Sequence, residues 1–178
     1  MATISICYGT TDGQTAEVAE FIAGVVRELG HTAVVIDLKT PTSDALAGVD
    51  AVMVGASIHI NRHEAYVADF VRQNLEMLDT LPTAFFSVSL SVYGDPGQGA
   101  RYIGEFCTDT NWQPTGTLAV AGALRYTSYG VLKRQLMKQI ARDKKLSTDT
   151  SVDAVYTDWD AVRSFTEQFV TEALPIPA

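Results

Sequence analysis

The chain has 178 residues, of which 47% are hydrophobic and 19% charged, and it carries a net charge of −8 at neutral pH. That size suits one domain with a core large enough to enclose a cofactor, and the composition excludes an intrinsically disordered chain. The negative balance argues against non-specific nucleic-acid binding, so no nucleic-acid partner is expected.

No apolar run approaches the ~18 residues of a membrane span. The N-terminus enters an apolar run at Thr3 without a basic leader, so a cytoplasmic location is expected. Cys7 and Cys107 are too few for a disulfide framework or a zinc site. They read as small apolar residues, and no metal is expected.

Taken in chain order, four nearly continuous apolar runs read as buried strands of a parallel sheet: Thr3–Tyr8, Ala33–Leu38, Ala51–Ala56 and Ala84–Leu90. Leu118–Ala121 is a shorter fifth. Helical patterns alternate with them. The first, Thr15–Leu29, places Val18, Phe21, Ile22, Val25 and Val26 on one face and stops at Gly30. The second is Glu64–Leu78, the third and weaker is Gly99–Cys107, and the last begins after Thr157 or Asp158. This alternation predicts an α/β domain with right-handed crossovers, and the whole chain, 1–178, reads as one domain. One segment breaks the rhythm. Between Gly122 and Val155 lies an insertion with its own helix, about Gly130 to Lys144, and long insertions in compact folds are usually functional.

The turn after the first strand, Gly9-Thr10-Thr11-Asp12-Gly13-Gln14-Thr15, is longer and more polar than a strand-to-helix connection requires. It lacks the lysine of a P-loop and the third glycine of a dinucleotide fingerprint. Hydroxyls and backbone N–H groups at a helix N-terminus still bind an anion without a cation. A phosphate monoester is the expected ligand. A generous helix cap would account for Thr11 or Asp12 alone but not for the whole run.

"GTTDGQT" resembles the FMN-phosphate loop of flavodoxins, with Asp12 where those proteins carry a hydroxyl. Asp12 is expected to point away from the phosphate and cap the helix. A closer resemblance is to the menaquinone-dependent protoporphyrinogen oxidases. It rests on "DGQT", "GASI" (Gly55–Ile58), "AFFSVSL" (Ala84–Leu90), Trp112 with Pro114, "AGALRY" (Ala121–Tyr126) and "YTDW" (Tyr156–Trp159), in order along nearly the whole chain. The resemblance implies a flavodoxin-like doubly wound, five-stranded parallel sheet of order 2-1-3-4-5, with the insertion following strand five.

The resemblance further implies FMN as cofactor, protoporphyrinogen IX as substrate and a quinone as electron acceptor, in haem synthesis. Ligands in such folds sit beyond the carboxyl ends of the strands. The implied FMN residues are Thr10, Thr11, Asp12, Gly13, Gln14 and Thr15 for the phosphate. Ser57, Ile58, Ser89, Leu90, Ser91, Val92, Tyr93, Gly94 and Asp95 follow for the ring, with Tyr93 stacking on it. His59 is the candidate proton-handling group, with His63 assigned to the start of the next helix. Arg125 and Tyr126 are expected to meet the substrate.

Between Gly122 and Leu146 the insertion is basic, with Arg125, Lys133, Arg134, Lys138, Arg142, Lys144 and Lys145 against Asp143 alone. Its Leu132, Leu136 and Ile140 fall on one helical face. That face either packs on the sheet or lies on an anionic membrane, with Lys133, Arg134, Lys138 and Arg142 toward the headgroups; the basic side equally suits steering of a dicarboxylate substrate. Two other functions fit the scaffold: an FMN electron carrier without its own substrate, and a general quinone reductase. The insertion discriminates against the carrier.

Overall fold

The computed structural model describes residues 1–40, 44–143 and 146–174. The elements run in chain order as β1 (Thr3–Gly9), α1 (Gln14–Glu28), β2 (Thr32–Asp37), β3 (Ala51–His59), β4 (Arg62–His63), α2 (Ala65–Gln73), α3 (Leu75–Leu78) and β5 (Thr83–Ser89). They continue as α4 (Pro96–Thr110), β6 (Gly116–Ala121), β7 (Ala123–Leu124), α5 (Val131–Asp143), β8 (Ala154–Val155) and α6 (Trp159–Ala173).

Five parallel strands form the sheet in the order β2-β1-β3-β5-β6. With the two-residue β4 set aside, this is the expected 2-1-3-4-5. The register aligns Ile4 with Ala51, Val52 with Thr83 and Ala84 with Gly116, so the carboxyl ends of β1, β3, β5 and β6 finish at one edge.

Alternate side chains of the apolar strands feed two cores. Ile4, Ile6, Met53 and Phe86 pack against Val18, Ile22 and Val26 of α1 and Val162, Phe169 and Val170 of α6. On the opposite face Cys7, Val52, Val54 and Phe85 pack against Val67 and Val71 of α2 and Ile103 and Phe106 of α4. Cys7 is fully buried there, and burial pushes its thiol up to about 11, which suits the small apolar role expected of it.

Three boundaries differ from the sequence reading, each for a local reason. The single helix expected over Glu64–Leu78 is two, because the Asn74 side chain donates to Phe70 O at 2.8 Å and ends the first. The third helix is longer than Gly99–Cys107 at both ends. Asp95 caps its start by accepting from Gly97 N at 3.0 Å, Pro96 occupies its first turn, and Asn111 ends it in the left-handed conformation at φ 56°. The third strand runs past Ala56 to His59 and folds back through β4, which pairs Ile58 with His63 and His59 with Arg62. His63 therefore sits in a hairpin strand and not at the start of α2. The turn residues Ile60 and Asn61 have φ of 49° and 61°, the geometry of a two-residue primed turn. Without an Asn-Gly or Asp-Gly pair, the sequence does not announce it.

The insertion carries a small core of its own: Leu124, Tyr126, Tyr129, Ala141 and Leu146, with Met137 and Tyr156 against them. β7 and β8 pair antiparallel, Ala123 with Val155 and Leu124 with Ala154, and close its base. Its helix buries Ala141 and half-buries Met137. The stripe of Leu132, Leu136 and Ile140 does not pack on the sheet as one reading expected: Leu132 is 88% and Leu136 59% exposed. The reason is that the backbone of the insertion draws the helix in by its other side, through Arg134, which donates to Tyr126 O at 3.0 Å and Tyr129 O at 3.1 Å. Lys144 and Lys145 lie outside the described residues.

Candidate functional site

The loops after β1, β3, β5 and β6 converge on one cavity of about 110 Å³. Of the residues expected at the cofactor, Thr10, Thr11, Asp12, Gln14, Thr15, Ser57, Ile58, Ser89 and Leu90 line it. Val88, Gly122 and Ala123 contribute from the strand ends, and Tyr129 and Met137 reach in from the insertion. These last two were not foreseen. Only the packing of the insertion across the sheet edge brings them there, and no local motif marks them.

The turn at Thr10–Thr15 is held open by its neighbours. Gly9 has room for no side chain, because a Cβ there would lie 2.3 Å from Val67 Cγ2. Thr10 N donates to Tyr66 Oη at 3.0 Å, Thr11 N to Ser57 Oγ at 3.2 Å, and Gly13 N to Thr10 Oγ1 at 2.9 Å. Burial, and next the Glu64 carboxylate, push the Tyr66 phenol up to about 12, so it stays neutral and able to hold this contact. The Thr11 hydroxyl donates to the Glu64 carboxylate, and Ser57 Oγ donates to the same oxygen at 3.3 Å.

Gly13 precedes α1 with φ 90°, a left-handed value that favours glycine, and no side chain caps the helix. The first N–H groups of α1, at Gln14 and Thr15, therefore have no intrahelical acceptor. Beside them Thr15 Oγ1 is fully buried without a hydrogen-bond partner, in a residue that lines the cavity. Such a hydroxyl costs on the order of 1–3 kcal/mol unless a ligand satisfies it. Unpaired donors at a positive helix end are the donor set of a phosphate site.

Asp12 does not cap α1. It turns toward the insertion, where Lys133 Nζ lies 2.5 Å from Oδ1 and Tyr129 Oη donates to Oδ2 at 3.3 Å. The left-handed Gly13 carries the chain into the helix without a cap, which leaves the Asp12 carboxylate available to these partners. Burial first, then the Asp12 carboxylate among the charges, push the Tyr129 phenol up to about 12. The Gln14 side chain also turns away, donating to Thr157 Oγ1 at 2.9 Å and accepting from Arg125 Nη2 at 2.6 Å.

Two expected substrate residues have other duties. Tyr126 is fully buried and donates to Ser147 O at 2.9 Å, so it belongs to the insertion core and has no surface to offer a substrate. Arg125 is mostly buried and pairs with Glu17 at 2.5 Å and Asp153 at 3.7 Å as well as Gln14. It fastens the insertion to α1. The Asp153 carboxyl, which accepts from Thr127 N, is held below the usual range by that bond and by Arg125.

The remaining expected residues, His59, Ser91, Val92, Tyr93, Gly94 and Asp95, are not among those that line the cavity. His59 is exposed at the end of β3. Tyr93 is 55% exposed, with its ring 4.5 Å from that of Tyr156. Ser91 N donates to Ser89 Oγ at 3.1 Å, Val92 is half-buried, and Gly94 and Asp95 are exposed, Asp95 serving as the cap of α4. His63 lies apart from the cavity: its Nε2 meets Ser87 Oγ at 2.8 Å among Phe85, Tyr102 and Phe106, and burial lowers its pKa to about 4. Among the described residues no group of three or more His, Cys, Asp or Glu could hold a metal ion, and no helix is long and apolar enough to cross a membrane.

A parallel sheet of this order, with unpaired N–H donors at the helix that follows its first strand, is that of the flavodoxin class, and residues 5–151 match the flavodoxin-domain family model. The fold is shared with a short-chain flavodoxin associated with a non-canonical PDU bacterial microcompartment, at TM-score 0.62 and 14% identity over 97% of this chain and 99% of that one. Protoporphyrinogen IX dehydrogenase (quinone) of Escherichia coli strain K12 is 34% identical over 167 residues, 92% of each chain. The protein of that name from Leishmania major is 34% identical over 174 residues, 96% of this chain and 75% of its own. The chain belongs to the family of quinone-dependent protoporphyrinogen IX dehydrogenases.

Proposed function

We propose that the protein is an FMN enzyme that oxidises protoporphyrinogen IX to protoporphyrin IX and passes the electrons to a quinone. The observation that carries the cofactor is the buried, unpartnered Thr15 hydroxyl beside the free N–H groups of α1. The substrate and acceptor follow from the family. A cavity of about 110 Å³ fits a phosphate and part of a ribityl chain, whereas a whole drug-sized ligand takes roughly 300–1,000 Å³. The flavin ring therefore belongs in the open mouth, between the Ser57–Ile58 and Ser89–Asp95 segments.

In this reading the Thr10–Thr15 turn cradles the phosphate, which accepts from the free N–H groups of Gln14 and Thr15 and from the Thr15 hydroxyl, and Gly13 supplies the turn. Ile58 and Leu90 give the ring apolar walls, and Tyr93 stacks at its edge. His59, exposed at the end of β3, takes up protons that leave the substrate. Bound FMN supplies a two-electron acceptor, so removing six electrons and six protons takes three turnovers and reduces three quinones to quinols.

The chain is one domain, 1–178, with an inserted segment at 122–155 that borders the site. That segment also provides peripheral contact with an anionic membrane, in which the quinone resides. Exposed Leu132 and Leu136 enter the headgroup region, flanked by Lys138 and Arg142; Lys133 and Arg134 contribute less, since both are engaged within the protein. This location favours an enzyme over a carrier that shuttles between soluble proteins.

The test is porphyrin fluorescence. Protein loaded with FMN receives protoporphyrinogen IX without oxygen, together with a soluble naphthoquinone. Quinone-dependent growth of porphyrin emission above a protein-free control is expected. Flavin-loaded protein that produces none is an electron carrier or acts on another substrate. Flotation with anionic vesicles checks the membrane contact, and absence of binding at low salt refutes it.

A further inference from the structure

The phosphate loop has an electrostatic problem that its own sequence does not solve. No Lys or Arg occurs between Thr3 and Val26, and Asp12 lines the same cavity as the orphaned Thr15 hydroxyl. A carboxylate beside a phosphate dianion repels it, and the repulsion is strongest where water is excluded. The nearby cations are engaged elsewhere. Arg125 serves Glu17 and Gln14, and Lys39 donates to Thr10 O at 2.5 Å. Glu64, on the far side of the turn, adds a second carboxylate through Thr11 and Ser57.

We propose that Lys133, on the insertion helix, is the counter-ion that lets this loop bind a flavin phosphate in spite of Asp12. The proposal rests on the FMN reading above. Lys133 reaches across 121 positions of sequence to place Nζ 2.5 Å from Asp12 Oδ1. Tyr129, one turn before it, occupies the other carboxylate oxygen, and its ring lies 4.6 Å beneath the same ammonium. Both oxygens of Asp12 are thus held by the insertion. The side chains of Asp12 and Lys133 are only 33% and 39% exposed, so solvent screens the pair incompletely. Lys133 is a positioning and charge-balancing residue: it acts on the phosphate through Asp12. It follows that the insertion, whatever it offers the substrate, is also part of the cofactor site. Phosphate affinity and docking of α5 are then linked quantities.

The experiment compares the unsubstituted protein, K133M, D12N and the double variant D12N/K133M. Each is titrated with FMN and with riboflavin, which lacks the phosphate, and followed by flavin fluorescence. K133M is expected to weaken FMN about tenfold or more and riboflavin less than about twofold, because an uncompensated unit charge acts only on the charged ligand. D12N/K133M is expected to return within about threefold of the unsubstituted protein, as coupling through one charge pair requires. The loss in K133M should shrink at high salt. Equal losses for the two flavins, no loss in K133M, or a double variant as weak as K133M would each overturn the proposal while leaving the FMN reading intact. Failure of the unsubstituted protein to bind FMN would overturn both.

Discussion

Replacing Thr15 by valine should move the stability of the flavin-free protein and the affinity for FMN in opposite directions. The two side chains have nearly the same shape and similar helix propensities, so the exchange removes a hydroxyl and little else. That hydroxyl is fully buried without a partner when no ligand is bound. Leaving it unsatisfied costs about 1–3 kcal/mol, and an apolar isostere removes the cost. Flavin-free T15V should therefore be more stable by about 1–2 kcal/mol, a rise of roughly 3–6 °C in Tm for a chain of this length. With FMN bound, the hydroxyl donates to a charged phosphate, a bond worth about 1.5–3 kcal/mol. FMN affinity should fall about ten- to a hundredfold, since 1.4 kcal/mol is one decade. Chemical denaturation of the flavin-free protein and fluorescence titration with FMN measure the two effects separately. If T15V lowers the stability of the flavin-free protein and leaves FMN affinity unchanged, Thr15 is a packing residue and the cradle lies elsewhere.

Tyr126→Phe should destabilise the protein by about 1 kcal/mol in urea unfolding, because it removes the bond that the buried phenol donates to the half-buried Ser147 carbonyl, and should leave the KM for protoporphyrinogen unchanged. A raised KM at unchanged stability would return Tyr126 to the substrate site. His63 predicts a pH effect. Its folded pKa is lowered from 6.5 to about 4, so the unfolded chain binds the extra proton between those values. Stability is then fully present above pH ~6.5 and is lost as pH falls toward 4, by at most about 3 kcal/mol. Urea unfolding of His63→Gln across that range should show a correspondingly flatter profile. An unchanged slope would place the acid sensitivity in other groups.

Much of this protein is legible without coordinates, because its main signals are local. Continuous apolar runs mark strands covered on both faces. The alternation of strand and helix demands crossovers, and handedness then leaves few topologies. The run Gly9–Thr15 is likewise local: its glycines and small polar residues announce a turn, and that turn lines the cavity. Where several local preferences compete, reading by pattern fails. "GDPGQG" looks like loop but starts a helix, since Asp95 and Pro96 are good at its first positions. Asn74 looks like a helix interior but ends one through its own side chain.

Tertiary structure alone decided what the insertion does. Helical periodicity assigns Leu132, Leu136 and Ile140 to one face, yet it is silent on which face turns inward. The carbonyls of Tyr126 and Tyr129 settle that by binding Arg134. Tyr126 and Arg125 follow the last long strand and so read as neighbours of the site. Whether such residues face a ligand, a core or an ion partner depends on chain that is distant in sequence. Here Ser147 holds one, and Glu17, Gln14 and Asp153 hold the other. The same holds for Asp12: its identity can be read from the sequence, but its charge has meaning only beside Lys133, because an electrostatic energy depends on distance in space and not along the chain.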